Sequence, residues 1–169
     1  GNGDTDNVSA DNLNLVATKD ATLNSNVTTL DFSGRSITIS ETDAIDITAS
    51  SATGALSITA GGPITQSGGI DADSTASFGA GAYSITLTNE NNDFSQAVSL
   101  SNSGSHNVSL RDANALDLGT VDVGQNLAIT ASGAITDSGV VTVAGTTSFN
   151  NSGGSDAAID LGSVSYTHL

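Results

Sequence analysis

Residues 55–69 read ALSITAGGPITQSGG, and residues 126–140 read NLAITASGAITDSGV. Laid over one another as 56–79 against 127–150, an offset of 71 residues (127 − 56), the two stretches are identical at twelve of twenty-four positions. Within each, apolar residues stand two apart, Leu56 and Ile58 in the first and Leu127 and Ile129 in the second, with Ser, Thr or Ala between them. A period of two is the mark of a strand with one buried face. The same offset holds upstream, where Ile37 and Ile39 answer to Val108 and Leu110, and Ala44-Ile45-Asp46-Ile47 answers to Ala115-Leu116-Asp117-Leu118.

The apolar runs are three to five residues long before Gly, Asn, Asp or Ser interrupts them, which is the punctuation of turns. No stretch keeps a helical period. Many short strands with a thin aliphatic core point to an all-β, right-handed parallel β-helix (solenoid). Each coil buries its apolar face only against the next, so the phrase must be repeated until a core exists. About eight strand-like runs per unit give roughly three coils for every 71 residues. A single shaft is expected over residues 1–163, with units at 13–83 and 84–154 and a third beginning at 155–163. Tandem sandwiches want longer strands and more aromatic filling, and no calcium-binding Gly-Gly-x-Gly-x-Asp nonapeptide is written here.

Composition narrows the partners. Of 169 residues only three are basic (Lys19, Arg35, Arg111) against eighteen acidic, for a formal net charge of −15. Phosphate backbones and anionic membranes both require Lys and Arg, so no nucleic acid and no membrane insertion of this segment are expected. There is no Cys, Met or Trp, which removes thiol chemistry and makes Gly1 no natural start. An internal piece of a longer protein is expected. The last six residues, Val164-Ser165-Tyr166-Thr167-His168-Leu169, back-translate to a transposon end used in sequencing-library preparation, and residues 164–169 are read as adapter read-through.

Asn91-Asn92-Asp93-Phe94-Ser95-Gln96-Ala97-Val98-Ser99-Leu100, Ala113-Asn114-Ala115-Leu116-Asp117-Leu118-Gly119 and Gly133-Ala134-Ile135-Thr136-Asp137-Ser138-Gly139 resemble the repeats of filamentous-haemagglutinin-like exoproteins, the Gram-negative two-partner-secretion or autotransporter adhesins. The resemblance spans most of residues 12–163. It implies a structural or adhesive stalk of a secreted, cell-surface protein. It also implies host or bacterial surface glycans or proteins as partners, and an outer-membrane secretion partner for the full-length chain.

The residue pattern assigns no catalytic, cofactor-binding or metal-binding residues and no cofactor, and a non-enzyme is expected. The alternative is a carbohydrate-active β-helix enzyme, a lyase, hydrolase or tailspike-like depolymerase, working with carboxylates along one face. Its best candidates are Asp71 and Asp73, two apart and so on one side of a strand. The second copy writes Thr142 and Ala144 in their place. Asp46 and Asp117 recur in both copies as a possible outward ladder for cations. His106, whose counterpart is Arg35, reads as a turn residue. Asn7, Asn26, Asn107 and Asn150 open Asn-x-Ser/Thr triplets of the kind chance supplies in such a composition.

Overall fold

The structure is a computed structural model that describes residues 8–151 and 157–162, and residues 7 and 164–166 as backbone. Among the described residues there are twenty strands and no helix, and every strand pairing is parallel. The chain winds as a β-solenoid of about eight turns, each with three faces.

Face A stacks residues 21–25, Ile37–Glu41, Leu56–Ala60, Ala76–Gly79, Val98–Ser101, residues 121–123, Val141–Val143 and Val164–Tyr166. Face B stacks residues 29–30, Ile45–Ile47, Ile64–Gln66, Ile85–Leu87, Val108–Asp112, Leu127–Ala131 and Thr147–Asn151. Face C stacks residues 33–34, Ser50–Ala52, Ile70–Ala72 and Asp93–Phe94, then residues 116–118, Ile135–Asp137 and Ile159–Asp160. Between its two halves the ladder is interrupted. There the Phe94 N–H donates instead to the buried carboxylate of Asp112 at 3.0 Å, since a buried backbone donor must find an acceptor.

Register turns alternation into columns. On face A, Leu23, Ile39, Ile58, Phe78, Leu100, Val121 and Val141 lie one above another, all buried. Burying each such side chain is worth roughly 1.5–3 kcal/mol, and the stacked order leaves few gaps to fill with aromatics. Phe78 and Phe94 meet edge to face, ring centres 6.1 Å apart and planes at 78°.

The shared phrase is explained by this geometry. Its Leu and Ile residues point inward, as do Ala60 and Ala131. Its glycines sit where coils touch: a Cβ on Gly62 would lie 2.5 Å from the Ala44 nitrogen, and one on the equivalent Gly133 would lie 2.7 Å from the Ala115 nitrogen. Its hydroxyls are latches. Ser67 donates to Asp46 at 2.6 Å and Ser138 to Asp117 at 2.7 Å, with Thr65 and Thr136 donating to the same two carboxylates.

Two expectations are corrected. Starting at Ile37–Glu41 and stopping before its equivalent Val108–Asp112, the chain passes ten strands, not eight. At three per coil that is three and one third coils, so residues 71 apart fall on neighbouring faces. Leu56 is on face A and Leu127 on face B; Asp46 is on face B and Asp117 on face C. The strands are also not uniformly short, because Asn7–Ala17 and Ala21–Gly34 run for 11 and 14 residues. Neither has a Gly before its last position to break it, so the ladder bends at the corners without stopping.

Candidate functional site

Outward residues differ sharply from face to face. On face A, Thr22, Thr38, Ser57, Ser77 and Ser99 form one row, and Asn24, Ser40, Thr59, Gly79 and Ser101 form the row beside it. No charge interrupts either row until Asp122. On face C the outward row runs Ser33, Ser51, Asp71, Asp93. Acid is therefore concentrated away from the hydroxyl surface.

Asp71 lies outward on Ile70–Ala72, and Asp73 follows in the exposed turn. The register adds Asp93 directly beside Asp71, a neighbour 22 residues on (93 − 71) that sequence reasoning missed because the loops between coils vary in length. Desolvation raises the Asp71 carboxyl above its ordinary value, and the charges of Asp73 and Asp93 raise it further. Among the described residues no three His, Cys, Asp or Glu side chains gather closely enough to hold a metal ion. Because Asp46 and Asp117 stand on different faces, they form no ladder; each is spent on the Ser and Thr of its own next coil. Arg35 is tied to Asp20 at 2.7 Å, which holds that carboxyl down at about 2. Arg111 lies on face B, away from the Asp71 row, with its Nε buried and unpartnered.

Several polar residues turn inward at corners and hold loops together. Asn92 is wholly buried. Its Nδ2 donates to the carbonyls of Leu87 and Arg111 and to Gln66 Oε1, at 3.2, 3.0 and 2.9 Å. Its Oδ1 accepts from the Ile70 N–H at 3.0 Å and from Gln66 Nε2 at 2.8 Å. Glu41, also buried, accepts from Ser25 Oγ and from the backbone N–H of Val27 and Thr42. Satisfied in this way, these residues are structural.

Two surface features on face A and its corner remain. A shallow hollow of about 250 Å³ opens over Gly79, lined by Thr59, Ser77, Ser99, Ser101 and Thr120, with the Phe78 and Leu100 side chains turned away from it into the core. Beyond it, the loops leaving Ala76–Gly79 and Val98–Ser101 bring Tyr83 and His106 together, ring centres 6.0 Å apart and planes at 33°. Asn102 binds the two loops, donating to the carbonyls of Tyr83 and His106 at 2.8 and 3.0 Å. His106 is thus a turn residue that also makes a surface aromatic pair.

A family model described as repeats of unknown function (DUF5649) matches residues 34–101 and again residues 105–165. The chain belongs to this family. Its two DUF5649 matches begin 71 residues apart (105 − 34). They begin at different corners of the coil, Gly34 where face C ends and Ser105 between faces A and B. No curated protein and no solved structure matched the chain.

Proposed function

We infer that these DUF5649 repeats form a rigid, non-catalytic shaft in a secreted bacterial surface protein, one that sets reach and carries weak contacts along its sides. The reading rests on the stacked parallel ladder. From Asn7 to Tyr166 successive coils are joined by parallel pairing, on faces A and B even where the face C ladder is interrupted, so load along the axis is shared among many hydrogen bonds rather than borne at one hinge. Support also comes from the Asp71 row, which has neither arginine beside it, Arg111 lying on face B and Arg35 being tied to Asp20, whereas polysaccharide cleavage by a lyase wants a cation beside its carboxylates.

The test is to remove one coil, residues 56–75, so that Ala76–Gly79 stacks directly on Ile37–Glu41. The shaft reading expects a rod about 4.8 Å shorter by solution scattering, with a cooperative melt, and no shortened oligosaccharides from a polysaccharide panel incubated with the intact chain. Released oligosaccharides, or loss of folding on removing one coil, would overturn it.

A further inference from the structure

We propose that the corner where residues 92–95 meet residues 111–114 is a latch closed by the Asp112 carboxylate, one that opens locally while faces A and B keep the coils joined. The latch goes beyond the shaft reading and stands without it, since any solenoid built with this corner would open there.

In four successive coils, a backbone N–H on face C needs an acceptor from the next coil. At three of these steps the acceptor is neutral. Ser50 Oγ accepts from the Phe32 N–H at 3.1 Å, the Gly69 carbonyl from the Ser50 N–H at 3.0 Å, and Asn92 Oδ1 from the Ile70 N–H at 3.0 Å. The fourth step departs from the series, because the Phe94 N–H donates to a carboxylate oxygen, Asp112 Oδ2, at 3.0 Å. The two phenylalanines stand in the same words, Asp31-Phe32-Ser33 and Asp93-Phe94-Ser95, and each reaches an acceptor 18 residues on. One of these latches is a hydroxyl and the other an ionisable acid.

The acid stands where the backbone ladder is missing. Face C has no pairing between Asp93–Phe94 and residues 116–118, so single bonds close the joint. Asp112 accepts from the N–H groups of Phe94 and Asn114, the second at 2.6 Å, and the Ala113 N–H donates to the Asn92 carbonyl at 2.7 Å. On the other two faces the same coils stay paired, residues 76–79 with 98–101 and residues 85–87 with 108–110. Segments with few ladder bonds open at a lower free energy than the whole fold.

Charge decides which way the latch leans. Asp112 is wholly buried, and a buried carboxylate is costly without a cation to meet it. Its chain neighbour Arg111 points outward on face B, and among the described residues no cation pairs with Asp112. Of the strands around it, Asp93–Phe94 brings Asp93, while Ile85–Leu87 and Leu127–Ala131 carry no titratable side chain. Leu116–Val123 carries Asp117, bonded to Thr136 and Ser138, and Asp122, on face A. Burial raises the Asp112 carboxyl above its ordinary value, and Asp93 adds to this against the pull of the two backbone bonds. In an open corner the carboxyl meets water and returns to its ordinary value. The closed corner therefore binds the proton more tightly, and opening gains as pH climbs from the ordinary carboxylate range through the raised value.

Amide hydrogen exchange on the full chain, corrected for the intrinsic effect of pH on exchange, tests the latch. Near pH 7 the Phe94 N–H should exchange at least about tenfold faster than those of Leu100 and Val108, which lie in the ladders of faces A and B. Opening at Phe94 should grow from near pH 3 to near pH 7, whereas opening at Phe32, latched by a hydroxyl, should stay level. Asp112→Ser, which writes the Phe32 type of latch into this corner, should abolish the dependence on pH. Three results would overturn the proposal: protection of Phe94 equal to that of Leu100 and Val108, a Phe32 profile that follows that of Phe94, or a pH dependence that survives Asp112→Ser. The comparisons within the parent chain decide the matter even where the variant fails to fold.

Discussion

Leu56 and Leu127 are the same residue at the same place in a repeated phrase, yet they stand on adjacent faces of the solenoid, Leu56 over Ile37 on face A and Leu127 over Val108 on face B. The structural period is the coil; the written period is ten strands, three and one third coils. Three faces that accept the same phrase must be nearly equivalent inside, and the inward residues bear this out: Leu, Ile and Ala fill all three. Outside they are not equivalent, so function is to be sought in the outward rows.

Phe78 fills the face A column and stacks edge to face on Phe94. Phe78→Ala should cost about 3–5 kcal/mol in a urea titration, as other buried Phe→Ala changes do. A cost under about 1 kcal/mol would mean the core is not packed as described.

Gly68 and Gly79 should behave oppositely. A Cβ at Gly68 would sit 2.3 Å from the Ala49 nitrogen, whereas Gly79 has room. Gly68→Ala should therefore lower the melting midpoint clearly. Gly79→Ala should hold or raise it, since Gly weakens a strand interior by roughly 0.5–1 kcal/mol relative to Ala. Thermal melts of both variants decide the point.

Much of this fold is legible in the sequence. Pairs such as Ile37/Ile39 and Leu116/Leu118 announce both strand and inward face. The phase of the repeat is not, because a phrase that fits three equivalent faces does not say which it occupies. Nor does Asn92 differ, as text, from the exposed Asn91 beside it; only the register reveals that one turns in to bind Gln66, Leu87 and Arg111. The Tyr83–His106 pair was hidden for a related reason. Two loops of different length meet there, and His106 aligns with Arg35, whose work is a salt bridge to Asp20.

Asn92→Ala leaves the Ile70 N–H and the Leu87 and Arg111 carbonyls without their partner in a buried corner. The expected loss is about 2–4 kcal/mol, more than a single neutral hydrogen bond, because unmade buried bonds are costly. Amide exchange at Ile70 should accelerate by more than that of Ile58, which lies on another face. Equal acceleration at both would point to global loosening instead.

Stability should depend on pH in two opposed ways. Asp20, held at about 2 by Arg35, contributes stability that is present above its ordinary value of 3.8 and fades as pH falls through that interval. Asp71 and Asp112 are raised, chiefly by desolvation, with Asp93 adding to both. The folded state holds their protons more tightly, so stability falls as pH climbs from the ordinary carboxylate range through their raised values. Asp93→Asn should accordingly raise the melting midpoint near pH 7 and change it little near pH 3. The reverse order would contradict this charge arrangement.

The most direct test of the winding uses the absence of cysteine. Thr59 reaches Asp122 through Gly79 and Ser101, three coil steps up one face, or about 14 Å at 4.8 Å per coil. Thr130, the exact sequence equivalent of Thr59 at 71 residues, lies on face B. Spin labels on cysteines at 59 and 122 should give a shorter distance by electron resonance than labels at 59 and 130. A shorter 59–130 distance would mean that each 71-residue unit closes on whole coils, and the account of this solenoid would be wrong.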